Sequence, residues 1–341
     1  MNNRLLATTF CALLAATAPA HADTAAPAGK AYGPELEGFD YPYPVKRFQF
    51  DSQGQSRQMA YLDVQPEQPN GRTMVLLHGK NFCAATWEGT IRALTERGYR
   101  VVAPDQIGFC KSSKPTHYQY SFHQLASNTR ALLAKLGIDK HLIMGHSMGG
   151  MLATRYALMY PQHTEQLVMV NPIGLEDWKA EGVPYRSIDE WFEREKKTSA
   201  EGIRNYQKNT YYAGQWRPEF DRWVEMQAGM FQGPGKELVA WNSALTYDMV
   251  FTQPVFYEFE QLKVPTLLLI GELDNTAIGK DAAAPDVRKK LGDYPRISRA
   301  VAKRIPDATL HTFADLGHSP QIQAPERFHE TLMRSLKPAT P

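Results

Sequence analysis

Three residues far apart in the chain have the types and local settings that acyl-transfer chemistry requires. Gly145-His146-Ser147-Met148-Gly149 follows an apolar run at 142–144 and opens a helical pattern at 148–160. A serine between a buried strand and a helix, flanked by glycines, sits on a tight turn that lifts its hydroxyl above the sheet. Serine is a weak nucleophile at neutral pH and needs an oriented base. Two later strand-like runs end in Gly271-Glu272-Leu273-Asp274 and Asp315-Leu316-Gly317-His318. His318 fits the base, and Asp274 fits the carboxylate that fixes the imidazole tautomer and balances its charge. Glu272 is the rival carboxylate, whereas Asp315 stands too near His318 in sequence. His146 is expected to point away from the serine hydroxyl and fill space. An oxyanion needs backbone N–H donors, and Met148 supplies one. Lys80, after His78-Gly79, supplies the second through its main chain. Its ammonium is expected to be solvated, contact with an anionic substrate being the alternative.

The elements that must position these groups alternate. Strand-like runs occur at Met74–Leu77, Arg100–Ala103, Leu142–Met144, Leu167–Val170, Thr266–Ile270 and Ala308–Phe313, and Phe48 to Val64 holds two more broken at Gln53-Gly54-Gln55. Helical spacing separates most of them, which predicts a doubly wound, mostly parallel sheet of the α/β class with helices on both faces. The rhythm stops after Pro172. Residues 175–258 read as helices only, with Ser187-x-x-Glu190 and Thr198-x-x-Glu201 as capping boxes and Pro218 suited to a first helical turn. This stretch holds five of the six tryptophans of the chain: Trp178, Trp191, Trp216, Trp223 and Trp241. The division expected is therefore a core of 23–174 and 259–341 with an inserted helical unit at 175–258.

With these residues in place the chain resembles the α/β-hydrolase superfamily, in its capped branch of esterases, lactonases, C–C bond hydrolases and haloperoxidase-like enzymes. The resemblance rests on His78-Gly79 with Trp87, Asp105-x-x-Gly108-Phe109-x-x-Ser112-x-x-Pro115, Gly145-His146-Ser147-Met148-Gly149-Gly150, Gly271-x-x-Asp274 and Gly317-His318. It implies a helical cap over a Ser147–His318–Asp274 triad. Serine at the nucleophile position argues against epoxide hydrolase and haloalkane dehalogenase activity, which use aspartate there. Asn81 replaces a common proline or glycine, Cys110 replaces a usual glycine, and Lys280 to Arg304 is longer than the pattern suggests. Cys83 and Cys110 close two loops that the fold makes neighbours, so they form either a disulfide or two free thiols.

Composition narrows the rest. The chain has 341 residues, 43% hydrophobic and 22% charged, a net charge of +2 and three cysteines. That excludes a disordered chain, a disulfide-dense scaffold and a polybasic nucleic-acid surface. Met1 to Ala22 has the Arg4, apolar run and Ala20-His21-Ala22 of a signal peptide, too short for a membrane anchor. The expectation is a periplasmic or secreted serine hydrolase of small esters or lactones, without metal or organic cofactor. Its substrate is expected to be an uncharged small molecule with an apolar or aromatic part. Rival readings are a C–C hydrolase or cofactor-free perhydrolase with the same triad, and a capped ligand-binding protein with little turnover.

Overall fold

The computed structural model describes residues 29–338, so the expected leader at 1–22, with Cys11, lies outside the described residues. Strands β1 (Val45–Ser52) and β2 (Gln55–Val64) form a hairpin. Its turn, Gln53-Gly54, has φ of 52° and 72°, the left-handed pair that follows the natural twist of two strands. β3 (Thr73–Leu77), β4 (Arg100–Pro104), β5 (His141–His146), β6 (Thr164–Val170), β7 (Thr266–Gly271) and β8 (Ala308–Phe313) complete one eight-stranded sheet in the order β1-β2-β4-β3-β5-β6-β7-β8. β2 meets β4 antiparallel, and every pairing from β4 to β8 is parallel.

Successive side chains of these strands enter opposite layers, as a pleated strand with both faces covered requires. Val75, Leu77, Ile143 and Leu268 pack on one face with Leu132, Leu152 and Val301. Met74, Leu76, Met144 and Leu267 pack on the other with Ile91, Phe328 and Leu332. The helices supplying those partners are α1 (Glu88–Thr95), α2 (Phe122–Lys135) and α3 (Met148–Met159), and the later ones given below.

Between β6 and β7 the described chain forms no strand. It contains α4 (Ile188–Glu195), α5 (Ala200–Tyr206), α6 (Asp221–Gln232) and α7 (Lys236–Thr252), with a π-helical turn Gln207–Tyr211 extending α5. The Ser187–Glu190 capping box is present. The second expected box is not: Ser199, one residue after Thr198, caps α5 by accepting from the Gly202 N–H. A further turn, Phe256–Gln261, runs across the expected boundary at 258, and Arg304 lies 4.4 Å from the Phe256 ring.

The long stretch after Asp274 also has an account. It holds α8 (Pro285–Arg288) and α9 (Tyr294–Arg304), the latter being the crossover that parallel β7 and β8 need. α10 (Pro320–Gln323) and α11 (Pro325–Ser335) close the fold. Residues 29–44, before β1, have no regular structure, yet they form a strap. Tyr32 donates its N–H to Gly229 O of α6 at 2.9 Å, and the Tyr41 hydroxyl reaches Asp105 at 2.7 Å.

Candidate active site

Ser147 follows β5 and caps α3 with φ 58° and ψ −121°, a conformation that costs a non-glycine residue free energy. The surrounding glycines explain how the turn closes. A Cβ on Gly145 would strike the Gly149 carbonyl, and one on Gly149 would strike the Leu77 carbonyl.

His318 and Asp274 come from the loops after β8 and β7. The His318 Nδ1–H donates to Asp274 Oδ2 at 2.6 Å, with both side chains out of contact with solvent. That bond leaves Nε2 as the basic atom, and it is buried without a hydrogen-bond partner among the described residues. Asp274 is held on all sides. Asn171 Nδ2 donates to the same Oδ2 at 2.9 Å, while the Thr276 N–H and hydroxyl donate to Oδ1 at 2.9 and 2.7 Å. The rivals face elsewhere: Glu272 meets Arg299 and Asp315 meets Arg327.

His146 does more than fill space, contrary to expectation. Its Nε2 lies 2.8 Å from the His318 carbonyl, which can only accept, so His146 carries its proton on Nε2. Burial, and next the His318 imidazole, hold its pKa well below the ordinary value, so it stays neutral. It thereby ties the turn of Ser147 to the loop of His318. Asn171 was missed by sequence reasoning. The signal was present: it follows β6 before Pro172, and its φ of 37° is one that asparagine tolerates.

The two expected oxyanion donors belong to α3 and to the loop after β3. Met148 is the first residue of α3, where leading N–H groups have no intrahelical acceptor. The Lys80 loop is fixed from below. His78 Nδ1–H donates to the Gly79 carbonyl at 2.8 Å, and His78 Nε2 accepts from the Gln106 N–H at 3.1 Å. A Cβ on Gly79 would lie 3.0 Å from the Ser147 Cβ, so loop and nucleophile touch. Cys83 and Cys110 are joined as a disulfide, with Cα atoms 5.9 Å apart. Cys110 adopts a φ of 46°, which accounts for a glycine being usual there.

The Lys80 ammonium is not solvated. It lies 2.6 Å from the Ser243 hydroxyl and 3.4 Å from the centre of the Tyr247 ring, and Ser243 donates onward to Glu195 at 2.6 Å. Burial lowers its pKa from 10.5 to about 8, against the pull of Glu195. Ser243, Tyr247 and Glu195 all belong to α4 and α7, so one residue links the oxyanion loop to the helical insertion. Asn81 adds a second link by donating to the Tyr211 hydroxyl at 2.9 Å.

The insertion also closes on the base. The His318 N–H donates to the Thr210 carbonyl at 3.1 Å and the Ser319 N–H to the Tyr211 carbonyl at 3.2 Å. A Cβ on Gly317 would sit 2.7 and 2.8 Å from those two carbonyls, so glycine is required for this approach. The π-helical turn thus presents carbonyls sideways to a catalytic loop, a setting where such turns recur.

Two cavities adjoin the site. One of about 700 Å³ lies between α4, α5 and α7 and the loop 275–281 that follows Asp274. The other, about 40 Å³, is walled by Lys80, Phe82, Phe109, Met230, Phe231 and Val239 among others. Asn81 and Gln227 border both, and Asn275 and Thr276 bring the larger one to the residues next to Asp274.

Residues 72–325 match the model of the alpha/beta hydrolase fold family. Among solved structures, a probable hydrolytic enzyme from Pseudomonas aeruginosa PAO1 is 66% identical, with a TM-score of 0.90 over 91% of this chain and 99% of that one. Est816, described as an N-acyl homoserine lactone degrading enzyme, is 20% identical with a TM-score of 0.62 over 85% of this chain and all of that one, a likeness of fold alone. A 2-hydroxy-6-oxo-6-phenylhexa-2,4-dienoate hydrolase of Burkholderia cepacia is 34% identical over 108 residues, which are 31% of this chain and 38% of that protein. The chain spans only 30% of the length of the first curated relatives that it matches.

Proposed function

The chain belongs to the alpha/beta hydrolase fold family, and from that premise we propose that it is a serine hydrolase of small carboxylic esters or lactones. The observation that carries this reading is the buried His318–Asp274 pair, tied through His146 to the strained turn of Ser147. In the reaction so read, His318 Nε2 takes the Ser147 proton as Oγ bonds to the substrate carbonyl carbon. The carbonyl oxygen gains the electron pair and is held by the Met148 and Lys80 N–H groups. The C–O bond to the leaving alcohol then breaks, and that oxygen receives the proton from His318. Water repeats the sequence on the acyl-enzyme, giving up a proton to His318 and releasing the acid with Ser147 restored. Asp274 keeps the imidazole in the required tautomer throughout.

The cavity walls support an apolar or aromatic substrate group. Trp191 and Tyr247 stack at 4.3 Å in the wall of the larger one, and Phe82, Phe109 and Phe231 line the smaller. C–C bond hydrolysis is the second reading, favoured by the identity to the Burkholderia enzyme. Export belongs to the same proposal; the leader pattern at 1–22 supports it, and N-terminal sequencing of the mature protein tests it. A fluorophosphonate probe tests the chemistry: labelling of the native chain and not of Ser147→Ala is expected. Equal labelling, or none, would overturn the enzyme in favour of a ligand-binding protein. A screen of p-nitrophenyl esters of rising chain length beside lactones and β-diketones then separates ester from C–C cleavage.

A further inference from the structure

The larger cavity has a charge imbalance that the near-neutral composition hides. Six charged side chains line it: Arg194, Lys197, Lys280 and Arg288 against Glu195 and Asp281. Both carboxylates are already taken. Glu195 accepts from Ser243 at 2.6 Å beside the Lys80 ammonium, and Asp281 is gripped by Arg186 at 2.6 Å and Arg194 at 2.7 Å. The other three cations form no ion pair among the described residues, although Glu176 and Asp274 lie near enough to Lys280 to act on its charge, and Asp189, Glu190 and Glu193 share a second cavity wall with Lys197. Lys280 donates only to the Leu291 and Asn275 carbonyls, and Arg288 only to those of Asp281 and Ala283. The Lys197 side chain has no ion pair or hydrogen bond among the described residues.

We infer that this cavity receives an anionic group of the substrate, a carboxylate held by Lys280, Arg288 and Lys197. The inference rests on the proposed hydrolase reading and deepens it. A carboxylate opposite guanidinium and ammonium donors forms charge-assisted hydrogen bonds, which neutral groups cannot match. The position fits an ester, because the loop 275–281 that forms the floor continues directly from Asp274. The neighbouring cavity of about 40 Å³ admits only a short group. Its two lysine ends are engaged, Lys80 by Ser243 and Lys114 by the Cys110 carbonyl at 2.6 Å. The substrate class is therefore an ester with a short acyl group and a larger alcohol part bearing a carboxylate.

The test compares 4-acetoxybenzoate with 4-acetoxybenzamide, which differ in charge and scarcely in shape. A KM about tenfold lower for the benzoate is expected, narrowing as salt is raised. The preference should vanish in Arg288→Gln/Lys197→Gln, whose parent side chains are exposed and leave folding intact, and in Lys280→Gln. Equal KM values, or a preference that survives these substitutions, would overturn the inference. Calorimetry of 4-hydroxybenzoate and 4-hydroxybenzamide on the Ser147→Ala chain reads the same contrast without turnover. Tighter binding of the benzoate sustains the anion site even if no ester is cleaved, and indifference refutes it even if fluorophosphonate labelling succeeds.

Discussion

The two sides of the active site are built by different means. The sheet side delivers Ser147, Asp274 and His318 from the ends of β5, β7 and β8, all within 5% of full burial. Its members are locked by strand geometry, a positive φ, a saturated carboxylate and a disulfide across neighbouring loops. The helical side touches this apparatus through two backbone carbonyls on the loop of His318, the Tyr211 ring against His318 and Phe82, and side chains that receive Lys80 and Asn81. On the reading proposed above, bond-making falls to the sheet side, while its donors and base are aligned in part by the helical side, which shares the main apolar core through Tyr211, Phe220, Met226 and Phe231. Substitutions on the two sides should separate accordingly.

Ser147→Ala should show the largest effect, a loss of roughly 10⁶ in kcat with an unchanged melting temperature. Asp274→Asn comes next, at about 10⁴, because the amide favours the wrong imidazole tautomer. A smaller loss would mean that Asn171 and His146 alone can orient His318. Where the two sides meet, Gly317→Ala should lower kcat by about a hundredfold through displacement of the base. An effect as large as that of Asp274→Asn would break the division drawn above. Reduction of the disulfide belongs in the same range for stability. It closes a separation of 27 residues, and its removal should cost about 3 kcal/mol, read by denaturant unfolding.

Lys80→Met is the mildest change, about tenfold in kcat, with a pH signature that identifies it. Burial lowers the folded pKa from 10.5 to about 8, so between these values the unfolded chain holds the proton and the folded chain does not. Stability from this group therefore rises with pH across that window, and the methionine variant should lose this share of the slope. Thermal unfolding from pH 7 to 10 measures it. An identical slope in both proteins would show that the ammonium is not buried as described.

Legibility in the sequence followed the same division. The sheet and the places of Ser147, Asp274 and His318 at its C-terminal edge could be read because most inner strands are short apolar runs and each of these residues follows a strand end. Gly145, Gly149 and Gly317 mark places where backbone comes too close for a side chain. Asp274 was only favoured over Glu272 in the sequence, since both follow the same strand by a few residues; in the structure Asp274 meets His318, Asn171 and Thr276, whereas Glu272 meets Arg299. The fate of Lys80 was illegible, because its burial depends on where Ser243, Glu195 and Tyr247 arrive from more than a hundred residues away. The same holds for Thr198 and Ser199, two equivalent cap residues whose choice is made by the packing of the helix they precede. Helical spacing states that a segment is a helix; it does not state what the helix will lean on.

The strap before β1 changes what kind of gate the insertion can be. A plate attached along one edge swings open; one also pinned across its outer face keeps its orientation. Here α6 is pinned by Tyr32, whose hydroxyl reaches Glu225 and whose backbone lies where a Cβ on Gly233 would fall. On the proposed reading, traffic of substrate and product falls to the flank bounded by α4, α5 and the loop 275–281, where the cavity wall carries Lys280 and Arg288. Given the inferred anion site, a molecule arriving there meets the selecting charges before the serine, so the doorway itself sorts what the chemistry will see.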